Sequence, residues 1–169
     1  MMEAEKYRTG LKRFGAAIVD GIVFMPFLLV DRFVISPTTN EYAIIAWQTF
    51  TIFIPIIYSI FSHYKYGQTI GKWVVRIKVL DIGETRTITL RQSILRDSFY
   101  LAVELLGFFY FLFIVIKTGE TQYLITDFND FAGTPFLIWT LLELITMLTN
   151  SKRRAIHDFL AKSVVVRTE

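Results

Sequence analysis

The sequence predicts an all-α membrane protein: a four-transmembrane-helix bundle with a small cytoplasmic β-hairpin and an amphipathic helix between spans two and three. Three observations lead there. Of 169 residues, 53% are hydrophobic and 16% aromatic, with a mean hydropathy of +0.46, above the roughly 45–50% apolar share of soluble domains. The apolar residues are gathered into four long runs. All Lys and Arg except Arg32 and Lys117 lie in the lead, between the second and third runs, or in the tail. Because basic segments stay in the cytoplasm, this places both termini inside.

The first span is expected over about residues 14–35. Lys12 and Arg13 lead into it, Asp20 is its one internal charge before Asp31, and Pro26 is a candidate bend. The basic start runs into Asp20 without a small-residue cleavage site, so this span is expected to remain as an anchor. Ser36 to Glu41 is rich in turn formers and reads as a loop. Residues 42–62 are free of charge and long enough to cross, with Trp47 and Tyr58 as candidate interface aromatics.

Residues 63–97 form a polar, basic cytoplasmic segment. Alternation over 74–81, a turn at Ile82-Gly83-Glu84 and renewed alternation over 85–90 predict a β-hairpin. Thr89-Leu90-Arg91-Gln92 has capping-box form and should open a short helix carrying Ile94 and Leu95. The third span is expected over 98–116, interrupted by Glu104, and the fourth over 131–151, interrupted by Glu143, with Pro135 near its start. Residues 117–130 are polar in the middle and have no assigned role. The tail, 152–169, opens with Lys152-Arg153-Arg154, continues as a short helix through Leu160, and ends in Ser163 to Arg167, a strand to add to the hairpin. The whole chain, 1–169, is thus expected to be one membrane domain.

Several functions are disfavoured. The absence of cysteine excludes disulfides and thiolate chemistry. A formal charge of +3 does not suggest nucleic acid. Gly67-Gln68-Thr69-Ile70-Gly71-Lys72 has one residue too few between its glycines for a phosphate loop, and Trp73 stands where Ser or Thr is needed. It reads better as a tight turn bringing Lys72 near Asp20, Asp158 or lipid phosphates. His63 is isolated, so no metal site is expected, and no nucleophile stands with a base as an enzyme requires. No cofactor is implied.

Three passages in order resemble the RDD family of membrane proteins, named for one arginine and two aspartates. They are Arg13 to Asp20, Gly67 to Val79 with the arginine-bearing helix ending at Arg96, and Arg153 to Ala161, which supplies Asp158. The resemblance implies a multi-pass protein of the bacterial cytoplasmic (inner) membrane, with transport of ions or small ligands as the usual suggestion. It points to Arg13, Gly67, Thr69, Gly71, Lys72, Arg96, Arg154, His157 and Asp158 as a motif and cytoplasmic network. Where the family commonly has Gly-Thr, this chain has Lys162-Ser163, which argues against a tight turn there.

An ionised carboxylate at membrane depth costs roughly 2.5–3.5 kcal/mol, so Asp20, Glu104 and Glu143 should face protein or water and are candidate sites for a small cation or a proton. Arg13, seven residues before Asp20, is on the same helical face and could modulate it or anchor at the interface. Asp158 is expected to fold back onto Arg13, Arg96 or Arg154 as a clamp. The leading expectation is transport of a small ion or ligand, with proton-coupled cation exchange through the intramembrane carboxylates as its specific form. The alternative is a non-transporting scaffold, assembly factor or subunit of a membrane complex. Beyond the lipid bilayer, a homo-oligomer or a membrane-complex partner is the expected association.

Overall fold

A computed structural model describes residues 3–118 and 124–168, with side-chain surroundings over 5–117 and 133–168. A short helix, α1 (Glu3–Lys6), precedes the long α2 (Gly10–Val30), which runs into a wider π-helical turn at Asp31–Ile35. The second long helix, α3 (Glu41–Tyr66), starts where the Asn40 side chain accepts the Ala43 N–H at 3.2 Å. It ends at Gly67, whose φ of 72° only glycine adopts without cost. Then follow α4 (Ile70–Val74), β1 (Ile77–Asp81), α5 (Leu90–Arg96), the long α6 (Ser98–Thr118) and α7 (Leu124–Thr149), α8 (Ile156–Leu160) and β2 (Ser163–Arg167). The expected capping box is made: the Thr89 side chain accepts the Gln92 N–H, and Gln92 Oε1 accepts the Thr89 N–H.

The chain is therefore mostly helical with one small antiparallel sheet, in which Ile77 faces Arg167, Val79 faces Val165 and Asp81 faces Ser163. Alternation sends Ile77, Val79 and Val165 to one face, where Ile88 and Ala16 of α2 meet them. Val164 and Val166 go to the other, under Tyr7 and Leu80. A fully buried Val or Ile side chain is worth roughly 1.5–3 kcal/mol, so this sheet is the centre of a compact cap at one end of the long helices. The long helices show the reverse pattern. Ile18, Ile22, Leu28, Phe109, Phe113, Leu137, Leu141 and Ile145 are all exposed.

Among the described residues only α3 and α6 are clearly long and apolar enough to cross a membrane, with residues 133–149 of α7 a shorter apolar stretch. The composition of the helices thus supports two of the four expected spans directly. The last long helix is already formed at Leu124, ahead of the expected 131, so Pro135 is well inside it. Residues 119–123 lie outside the described ones, and so do the side chains over 118–132, including Glu120, Asp127 and Asp130.

The expected hairpin does not form, because both requirements for a second strand are met otherwise. Asp81 Oδ1 accepts the N–H groups of Thr85 and Arg86 at 3.1 and 3.4 Å, closing a local turn in place of a ladder. On the outer edge of β1, the Val79 N–H goes to the Gly67 carbonyl at 2.7 Å. The strand beside β1 is the tail strand β2, whose Ser163 faces Asp81 from 82 positions further along the chain, joined in sequence only through the long helices. Lys162 adopts a φ of 49°, so the turn before β2 is made without glycine.

Candidate functional site

The cap and the four long helices enclose a cavity of about 520 Å³. Its polar floor holds Arg13, Asp20, His63, Lys72, Arg96, Asp97, Glu143 and His157, and its apolar walls include Phe14, Ala17 and Phe24 of α2 with Leu144 and Met147 of α7.

Asp20 is held by three donors. Tyr58 Oη and the Gly71 N–H both donate to Oδ1 at 2.8 Å, and Thr69 Oγ1 donates to Oδ2 at 2.7 Å. Thr69 also caps α4, so the carboxylate sits at the start of that helix. The seam between α2 and α4 requires Gly71: a Cβ there would lie 2.1 Å from the Ala16 carbonyl oxygen and 2.8 Å from Asp20. Gly67 is similarly confined, since a Cβ would meet the Val79 carbonyl oxygen at 2.9 Å. These glycines and Thr69 serve the close approach of backbone to backbone. Tyr58, expected at an interface, points inward to Asp20.

Arg13 does not pair with Asp20. Its Nη1 donates to Asp158 Oδ2 at 2.7 Å, Nε to Thr9 and Nη2 to the Arg153 carbonyl. Asp158 is fully buried and also accepts from Arg96 Nη1, from Ser163 Oγ and from the Ala155 N–H. Burial would raise its carboxyl; the charges of Arg96 and Arg13 outweigh burial and hold it well below the usual range. Arg154 reaches the same place through backbone, donating to the carbonyls of Asp158 and Ser163 at 2.9 Å.

The clamp is wired to the cavity. Arg96 Nη2 lies 2.9 Å from His157 Nε2. A guanidinium only donates, so Nε2 accepts and the imidazole proton is on Nδ1, which donates to Glu143 Oε1. The chain Glu143, His157, Arg96, Asp158, Arg13 thus links α7, α8, α5 and α2. Glu104 does not line the cavity, so the three candidate acids do not converge: Asp20 and Glu143 do, and Asp97 takes the third place.

Asp97, His63, Ser59 and Tyr100 were not singled out by sequence. Ser59 Oγ donates to Asp97 Oδ2 at 2.8 Å, and His63 Nδ1 lies 3.3 Å from Ser59 Oγ and 3.8 Å from Asp97. Burial would raise the Asp97 carboxyl, but His63, Arg96 and Ser59 keep it below its ordinary value. The available signal was the i, i+4 spacing of Ser59 and His63 at the end of an apolar run. Lys72 makes no hydrogen bond or ion pair through its ammonium among the described residues, and burial, with Arg96 and Arg13 adding to it against Asp97 and Asp20, pushes it down to about 8. No group of three or more His, Cys, Asp or Glu among the described residues is placed to hold a metal ion.

The family model described as the RDD family matches residues 7–162. No curated protein and no solved structure matches the chain.

Proposed function

The chain belongs to the RDD family, and from that premise we propose that it is a four-span protein of the bacterial cytoplasmic membrane that transports a small ion or ligand through the central cavity. The membrane reading rests on the exposed apolar side chains of all four long helices, a surface that water does not tolerate over such an area. The basic cap then faces the cytoplasm with both termini. Four spans are few for a carrier, which normally pairs two repeats, so the working unit in this reading is a homo-oligomer.

The observation that carries transport is the Glu143–His157 pair opening on the cavity. In this reading a cation near Glu143 competes with His157 for the carboxylate, and protonation of Glu143 releases the cation. His157 cannot take a proton on Nε2 without setting two donors against each other at Arg96, so the exchangeable proton belongs to Glu143. Asp20, with three donors already on it, positions α4 and carries no ion. Purified protein in liposomes should support proton-coupled cation flux, and Glu143→Gln should abolish the coupling. Wild-type liposomes without flux, or flux unchanged in Glu143→Gln, would contradict it.

A scaffold is the second reading, favoured by one observation: Arg13, Asp20 and Asp158 are all engaged in bonds within the chain. It predicts that purified protein moves no ion while a membrane partner copurifies in stoichiometric amount.

A further inference from the structure

Four groups around the cavity each keep an atom that the fold leaves without a hydrogen bond among the described residues. The Lys72 ammonium has no hydrogen bond or ion pair there, though the charges of Asp97 and Asp20 act on it. His63 is 2% exposed, yet its Nε2 has no hydrogen-bond partner among the described residues. Asp97 uses Oδ2 for Ser59 and Glu143 uses Oε1 for His157, leaving Oδ1 and Oε2 without hydrogen bonds among the described residues.

The protonation of His63 follows from its neighbours. The single hydroxyl proton of Ser59 goes to Asp97, so at 3.3 Å His63 Nδ1 is the donor to Ser59 Oγ, and Nε2 carries a lone pair. A buried acceptor without a donor is destabilising, and a ligand that brings the donor recovers this. The unspent groups therefore ask for two things at once: an anionic oxygen for Lys72, and N–H donors with positive charge for His63, Asp97 and Glu143. A simple anion would leave the carboxylates facing it, and a bare metal ion would leave Lys72 beside it.

We propose that the cavity binds a zwitterion with an anionic oxygen group at one end, held by Lys72, and a primary ammonium at the other, held by His63 Nε2, Asp97 and Glu143. Phosphoethanolamine has this chemistry, as a lipid headgroup or as a free molecule. The walls match the lipid form: Phe14 of α2 and Leu144 of α7 line the cavity and are also exposed on the outer surface, so the cavity opens on an apolar side where acyl chains can lie. A volume of about 520 Å³ is within the ordinary range for ligand cavities. The inference rests on the cavity being the ligand site of the proposed transport function and names the ligand's class.

The test is native mass spectrometry of the full chain in detergent micelles with phospholipids of identical acyl chains bearing ethanolamine, choline or glycerol headgroups, with soluble phosphoethanolamine as competitor. Choline lacks the N–H donors and glycerol lacks the ammonium, so the ethanolamine lipid should bind about tenfold more tightly than either. Lys72→Met should weaken all three lipids alike, since each carries the phosphate, whereas His63→Leu, which removes the acceptor, should erase the preference, with thermal melting confirming that each variant is folded. Competition by soluble phosphoethanolamine would assign the site to a free zwitterion, and absence of competition to the lipid; either supports the proposal. Equal binding of all three headgroups by wild type, a preference that survives in folded His63→Leu, or undiminished binding in folded Lys72→Met would overturn it. Loss of headgroup preference with Glu143-dependent flux intact would remove this inference alone, whereas preference without flux would remove transport and leave the ligand.

Discussion

Asp158 ties α2, α5 and β2 to the tail through one buried carboxylate. Removing one partner of a buried ion pair typically costs about 3–5 kcal/mol, because the remaining charges stay buried without compensation. Asp158→Asn should therefore destabilise the cap by about that amount in denaturant melts, whereas Arg154→Lys, which changes contacts to carbonyls, should cost less. The pH dependence has a definite sign. Asp158 is held well below its ordinary 3.8, and Glu84, where Lys152, Lys6 and Tyr7 outweigh burial, is held down to about 2 from 4.5. Their stabilisation is fully present above the ordinary carboxylate range and is lost as pH falls through the folded values. The melting temperature should fall steeply below pH 4, less so in Asp158→Asn. Lys162, at φ 49°, gives a prediction of the opposite direction: Lys162→Gly should raise stability by up to about 1 kcal/mol by relieving the left-handed backbone. Arginine partners for Asp158 were legible in the sequence because charges beside membrane runs have few other places to go. The partners of Asp20 were not, since Tyr58 and Thr69 are ordinary residues and the third donor is a backbone N–H.

One helix boundary that capping chemistry controls was read well: Thr89 to Gln92 announces the start of α5. The end of α3 was not, since the span was expected to stop at residue 62 and the helix continues to Tyr66, where Gly67 caps it. The hairpin was misread because alternation and a turn are local signals, while Gly67 takes the Val79 N–H and Asp81 those of Thr85 and Arg86 through contacts that alternation does not encode. The seam of α2 with α4 is equally non-local, and it depends on the smallest side chain at one position. Gly71→Ala should push α4 away from Ala16 and break the hydrogen bonds to Asp20, at a cost of about 1–3 kcal/mol typical of overpacking. An isotope-edited infrared or exchange measurement should then show the N–H of residue 71 losing its protection. Retained protection would mean that α4 is held by something other than that seam.

For the whole molecule, composition showed where the apolar mass is, and the asymmetry of basic residues showed which end carries the cap. Composition did not show that the polar groups inside would gather from α2, α3, α4, α5, α7 and α8 around one cavity, because His63 and Asp97 are 34 positions apart and meet only when the bundle closes. The proposed transport requires that the cavity be reached from water while the adjoining apolar helix surface is not, and the absence of cysteine makes this directly measurable. Ala17 lines the cavity, and its neighbour Ile18 is exposed on the outer face at nearly the same depth. With single cysteines introduced into the membrane-embedded protein, a water-soluble maleimide should label Ala17→Cys and leave Ile18→Cys untouched. Equal labelling of the two, or labelling of Ile18→Cys alone, would contradict the account.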